Sequence, residues 1–386
     1  MLNYKRKKGV FTRTRRRKSP NMEQKAPKTL ESLAGELREL YRSYGYARYK
    51  VGRFEEYELY LRNKKFLASE QVLTFSDTNG KLMALKPDIT LSIVKNVKAD
   101  GRTHKVFYTE TVYRVPKNAG GFREIPQTGL ECIGQVDDYT MAEVLMLAAR
   151  SLATISESYS LDVSDIGILS GVLAGEPVGP EDLARVFAVL GEKNAHGLSA
   201  LASELGLSPK TEQLLKALMN ASGPLEETLD TVERLSLPES CAEPLKSLRQ
   251  IARSMAAYGI ENINLDFSVV NDMDYYSGLI FRGFVEGAPS GVLAGGRYDP
   301  LMTRMGKQGE AIGFAVYLDQ LERLMEQPPA FDVDALVLYD SETDPAALIR
   351  EVEALKQRVK SVRVQREAQA DVTCREVIRF DGGMLK

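Results

Sequence analysis

Histidine, cysteine and tryptophan are what this chain has least of. With His104 and His196 the only histidines among 386 residues, a histidine-rich metal site is excluded. The three cysteines, Cys132, Cys241 and Cys374, lie far apart and form no CxxC pair. That spacing argues against a disulfide scaffold and a structural zinc site, and it suits a reducing compartment. A cytoplasmic protein with no metal and no cofactor is expected. Long apolar runs are missing too: the stretch around Val144 to Ile155 contains Arg150 and falls short of the roughly 20 residues a membrane span needs. No GxGxxG or phosphate-loop motif stands in a βαβ setting. What remains is a composition that can build cores, 44% apolar and 27% charged, in a chain long enough for about two to three domains.

The net charge of −2 conceals an asymmetry. Residues 1–20 hold nine Lys or Arg and no acid, so the remaining 366 residues carry −11. An acidic body disfavours a large nucleic-acid footprint. The basic leader, residues 1–22, lacks the apolar segment of a secretory signal. It is read as a disordered, solvated tail, or as sequence upstream of a true start at Met22.

Periodicity divides the rest. Leu30, Leu33, Leu37, Leu40 and Tyr41 predict a helix from Thr29 to about Tyr44, stopped at Gly45. Ser76 to Gly80 reads as a hairpin turn. Lys105–Val115 and Phe122–Val136 read as a longer hairpin around the breakers Pro116 to Gly121. A helix from Tyr139 to about Ser156, started near Asp138 or Thr140, completes a first part at 23–175. Residues 176–260 are leucine-rich helical segments punctuated by prolines, with no strand expected. Strands return at Ile263–Asn271, Leu279–Glu286, Gly291–Tyr298 and the start of Ala311–Leu324, forming a second part at 261–327. Beyond Pro328-Pro329, residues 331–386 predict a small α/β segment of one strand, one helix and one or two further strands. Hairpin-dominated strands with helices before and between them give an α+β class built on an antiparallel sheet.

Strand alternation then gathers polar groups. Tyr108, Glu110 and Arg114 share one face of the first long strand, and Gln127, Gly129 and Glu131 share a face of its partner. A solvated face is the commoner fate of such residues. The glycine leaves room above the backbone. Carboxylates hold an ammonium and a guanidinium grips a carboxylate, so the set suits an amino-acid-sized zwitterion. Lys86 to Thr90, Asp272 to Gly278 and Gly295 to Asp299 add acids, tyrosines and glycines at turns. No nucleophile–base arrangement is visible.

Taken in order, these motifs resemble those of histidyl-tRNA synthetase, a class II aminoacyl-tRNA synthetase. Tyr113-Arg114, Gly121 to Glu124 and Gln127 to Glu131 are similar to its second motif. Lys86-Pro87-Asp88-Ile89-Thr90 resembles its Arg-Pro-Glu-Gly-Thr turn, and Asp274-Tyr275-Tyr276 the tail of its histidine-specific motif. Gly295 to Asp299 and Gly313 to Ala315 follow its glycine-rich strand and third motif. The likeness runs from about Gly45 to Leu324 and implies an antiparallel sheet flanked by helices, with a helical insertion. It also implies a pocket for a histidine-like ligand at Asp88, Thr90, Arg114, Gln127, Glu131, Tyr275 and Tyr276.

The departures fall on the nucleotide side. Val115-Pro116 stands where the second motif continues to a glutamate. Asn271 and Gln320 stand where the family places phosphate-steadying arginines, and Gly52 replaces the first-motif proline. The 56-residue tail is about half of an anticodon-binding domain. Amino-acid activation develops charge on phosphoryl oxygens, and losing one cation clamp typically costs about 3 kcal/mol in barrier. The pattern therefore resembles the regulatory subunits of ATP phosphoribosyltransferase, which are synthetase paralogues without catalysis. That resemblance implies a short-form catalytic partner in a hetero-oligomer, a hetero-octamer, with a homodimer through the synthetase-like core. It implies feedback inhibition of histidine biosynthesis by histidine, no tRNA and no membrane. A divergent synthetase using Arg123, Arg297 or Lys86, and a free-standing amino-acid sensor, stay open beside it.

Overall fold

Helix α1 (Leu30–Ser43) begins where Thr29 accepts a hydrogen bond from the Ser32 amide at 3.1 Å. It ends before Gly45, whose φ of +80° turns the chain in a conformation few other residues adopt. The computed structural model describes residues 29–67, 71–98, 100–115, 121–270, 275–325, 331–368, 372–381 and 384–385. The expected basic leader lies outside them, as do Pro116, Asn271 and Asp274.

After α1 comes β1 (Ala47–Arg48), then a small antiparallel sheet of β2 (Phe54–Glu56), β3 (Thr74–Ser76) and β4 (Leu82–Leu85), with α2 (Tyr57–Arg62) following β2. Helix α3 (Thr90–Asn96) leads into the long hairpin β5 (His104–Arg114) and β6 (Arg123–Gly134). Next are α4 (Asp138–Ile155), β7 (Tyr159–Asp165) and α5 (Ile166–Val172). The helical stretch holds α6 (Pro180–Gly191), α7 (Ala195–Leu205), α8 (Pro209–Asn220), β8 (Ser222–Pro224), α9 (Leu225–Glu233) and α10 (Ala242–Ala257). Then come β9 (Ile263–Asp266), β10 (Leu279–Val285), β11 (Leu293–Arg297), α11 (Asp299–Arg304), β12 (Glu310–Tyr317) and α12 (Glu322–Met325).

Nine strands form one sheet in the order β1-β5-β6-β12-β11-β10-β7-β9-β8. The neighbours are antiparallel except β1 with β5 and β7 with β9. One face is dry. Phe107, Leu130 and Phe314 lie on it beneath α1 and α4, with the Tyr41 ring 6.1 Å from Phe107 and 5.9 Å from Phe314. Burying a side chain of that size contributes about 1.5–3 kcal/mol, which fixes which way the strands face. Helices α6–α10 share this core through Leu190, Leu215, Leu229 and Ile251. The opposite face carries a smaller cluster and the cavity described below.

Several local expectations need correction. Helix α4 is capped by Asp137, not Asp138 or Thr140: its carboxylate accepts from the Thr140 amide at 2.8 Å. The helical stretch contains the short strand β8, which pairs with β9 at the sheet edge. The strand expected at Ile263–Asn271 ends at Asp266. Strand β7 and helix α5 have no counterpart in the sequence-level assignment. β7 reads Tyr-Ser-Leu-Asp-Val-Ser-Asp; Asn264 on β9 donates to Asp162 at 2.9 Å, while the buried Ser164 hydroxyl has no hydrogen-bond partner.

The chain divides into two compact units, one spanning Thr29–Glu326 and one that includes Gln327–Lys386. The second contains β13 (Val333–Leu338), α13 (Pro345–Lys356), β14 (Val362–Gln365), β15 (Cys374–Asp381) and β16 (Met384–Leu385). Three strands follow the helix, where one or two were expected. β13 runs parallel to β14 and β15, and α13 packs Leu348 and Leu355 against Ala335, Val337 and Phe380.

Candidate ligand-binding site

Antiparallel register sets the site. Tyr108 lies opposite Gly129, and Glu110 opposite Gln127, across β5 and β6. Across β6 and β12, Gly129 meets Ala315 and Glu131 meets Gly313; across β11 and β12, Ala294 meets Ala315. The face away from α1 and α4 thus has a floor of glycine and alanine with polar side chains around it. The emptiness is enforced: a Cβ on Gly313 would come 1.8 Å from Glu131 Oε2, and one on Gly129 would come 2.2 Å from the Phe314 carbonyl.

Above this floor is a cavity of about 140 Å³. All seven expected residues, Asp88, Thr90, Arg114, Gln127, Glu131, Tyr275 and Tyr276, line it. Tyr108, which strand alternation placed on this face, lines it too, as do Tyr298 and Tyr317, which the expected set left out. Tyr298 is the important omission, because its hydroxyl donates to Glu131 at 2.6 Å. Its place just after the double glycine of β11 was the available signal.

Glu131 is only 2% exposed, and it accepts from Thr90 at 2.7 Å as well as from Tyr298. Neither donor carries charge. Burial pushes the carboxyl up to about 8, against the pull of those two hydrogen bonds. Asp88 is buried beside it and is also raised by burial, although Arg114 counteracts. Arg114 lies 3.3 Å from Asp88 and donates its Nε–H to the Pro87 carbonyl, while Asp88 accepts from the Leu91 amide at 2.8 Å. Gln127 is 3% exposed, and its Nε2 has no hydrogen-bond partner. A buried donor left empty costs about 1–3 kcal/mol, so this amide is arranged for an acceptor from outside the chain.

The walls are aromatic. The Tyr275 ring lies 4.7 Å from Tyr276, 5.7 Å from Tyr298 and 6.0 Å from Phe66. Flat rings, an uncompensated carboxylate and an unpartnered amide suit a small, planar, amine-bearing ligand. The described lining residues include no histidine, cysteine or lysine.

The cations proposed for a nucleotide by the synthetase alternative are placed as follows. Lys86 is 1% exposed and ion-paired with Glu110 at 2.7 Å. Arg297 is held by Asp299 at 2.7 Å and by Glu310. Arg123 is exposed at the start of β6. Gln320 accepts from Ser290 at 2.9 Å and donates to Asp319 at 2.7 Å.

An antiparallel sheet with helices on its dry face and an amino-acid-sized cavity on the other defines a body of the class II aminoacyl-tRNA synthetase type. The chain belongs to the histidyl-tRNA synthetase family, whose family model matches residues 21–321. It is 27% identical over 300 residues to a protein of Alkaliphilus metalliredigens, covering 76% of each chain. It is 26% identical over 369 residues to one of Acetivibrio thermocellus, covering 92% of this chain and 88% of that one. Both carry the name ATP phosphoribosyltransferase regulatory subunit. A crystal structure from Bacillus halodurans C, described as an ATP phosphoribosyltransferase regulatory subunit/histidyl-tRNA synthetase, superposes with a TM-score of 0.78 at 21% identity, covering 94% of this chain and 99% of that one. Among the described residues no helix is long and apolar enough to cross a membrane.

Proposed function

We propose that this chain is the non-catalytic regulatory subunit of ATP phosphoribosyltransferase, the enzyme of the first step of histidine biosynthesis, and that histidine is its effector. The observation that carries the reading is the asymmetry of the cleft. Its amine-binding half is assembled, with Glu131 and Gln127 lacking any cation or acceptor of their own. Two of the three cations that could grip a triphosphate are otherwise engaged, Lys86 by Glu110 and Arg297 by Asp299 and Glu310, and the third, Arg123, is exposed at the start of β6. An amide, Gln320, stands at the third-motif position. Without such clamps the charge developing on a transferring phosphoryl group has no stabiliser.

On this reading Asp88, Thr90, Gln127 and Glu131 hold the amino group and imidazole, Arg114 meets the carboxylate, and Tyr275 and Tyr276 wall the ring. Residues 23–175 and 261–327 are the synthetase-derived body, with 176–260 its helical insertion. The body pairs as a homodimer, joins a short-form catalytic subunit in a hetero-octamer, binds no tRNA and works in the cytoplasm. The names of the relatives support a catalytic partner.

Mixing this chain with a short-form catalytic subunit tests the proposal. A complex should elute as one species from a sizing column, with phosphoribosyltransferase activity that falls as histidine is added. Feedback of this kind corresponds to about 1–3 kcal/mol of coupling. Two components that elute separately, with activity indifferent to this chain, would refute it.

A further inference from the structure

A second concavity, of about 250 Å³, opens at the β6 end of the hairpin among three loops. These are the α3–β5 connection, the residues at the end of β6, and the α11–β12 connection. Its lining carries Lys98, Arg102, His104 and Lys307, and no carboxylate. Such a grouping stands out on a body of net −11 outside residues 1–20. Many cations elsewhere on the surface pair with acids, among them Lys81 with Glu56, Lys95 with Glu55 and Lys216 with Glu212. Among the described residues Lys98, Arg102 and Lys307 have no ion-pair partner. Like charges around one concavity repel each other and create a focused positive potential, which an anion relieves.

The loops also hold the group in place. Gly134 and Gly309 have φ of +139° and +100°, and a Cβ on Gly134 would come 2.7 Å from Thr103 Cα, so one loop closes directly on another. Lys307 is anchored by donating to the Val97 carbonyl at 2.9 Å, which leaves it further N–H groups. Asp100, the nearby acid, is engaged by His104 at 2.9 Å and by the Arg102 amide at 3.1 Å.

We propose that this cleft binds a small phosphate-bearing anion, gripped by the Arg102 guanidinium and the Lys98 and Lys307 ammonium groups. Charge-assisted hydrogen bonds to phosphate oxygens are the strong kind, and an arginine fork matches their geometry. The site is separate from the tyrosine-walled cavity and does not depend on what that cavity binds.

Calorimetric titration of the full chain with inorganic pyrophosphate at low ionic strength is the test. The unaltered chain should bind, with affinity falling as salt rises. Arg102→Ala and Lys98→Ala alter exposed side chains, so the fold should survive, and each should weaken binding by about tenfold or more. Lys246→Ala, which removes an exposed lysine paired with Glu243 on α10, should leave affinity unchanged. Absence of binding overturns the proposal, as does binding that persists in the Arg102→Ala, Lys98→Ala double variant or drops equally in Lys246→Ala.

Discussion

Glu131 concentrates the chemistry of the cavity into one carboxyl. Its folded value of about 8 stands above its ordinary 4.5, because burial penalises the charge more than Thr90 and Tyr298 compensate. The folded chain therefore holds a proton that the unfolded chain has released. Stability falls as pH rises from about 4.5 to 8, and a cationic ligand should bind more tightly over the same interval, since that proton must leave first. Glu131→Gln should flatten the dependence of melting temperature on pH and weaken histidine binding about tenfold to a hundredfold, read by thermal unfolding and calorimetry. A steep pH dependence surviving in the variant would show that another group is responsible. Gly313→Ala tests the floor: its methyl meets Glu131 and the Leu130 carbonyl at 2.5 Å, and backbone cannot step aside. A loss of about 1–3 kcal/mol in stability, together with loss of ligand binding, is expected.

Among the elements, those with strong local chemistry were readable from sequence. α1 has a threonine cap, a leucine stripe and a terminal glycine, and the β5–β6 hairpin has alternation on both arms. β7 went unread although Tyr159, Leu161 and Val163 alternate with Ser160, Asp162 and Ser164, because serine and aspartate are poor strand formers and the run is short. The α4 cap, expected at Asp138 or Thr140, is Asp137, because capping-type residues crowd this stretch and only the backbone shows which of them has left the helix. Because Asp137 bonds the Thr140 amide and hydroxyl, its carboxyl is held below 3.8. Its contribution is present above that pH and is lost as pH falls further. Asp137→Ala should cost about 1 kcal/mol at neutral pH, measured by denaturant unfolding. An unchanged midpoint would mean that packing alone sets the start of this long, buried helix.

At the scale of the molecule, the candidate site was legible in its residues but not in its assembly. Alternation placed Gln127, Gly129 and Glu131 on one face, and the motif order supplied Asp88, Thr90, Tyr275 and Tyr276. What brings them around one cavity is the strand order β5-β6-β12-β11, which no local pattern encodes. Tyr298 belongs to that category, arriving from β11 to meet a carboxylate on β6. The proposed function requires a cleft that grips an amino acid yet holds no triphosphate, and its most direct test is histidine-dependent exchange of pyrophosphate into ATP by the isolated chain. Histidine should bind in the same sample while exchange stays at the level without amino acid. Sustained exchange that requires histidine would contradict it and make the chain a working synthetase.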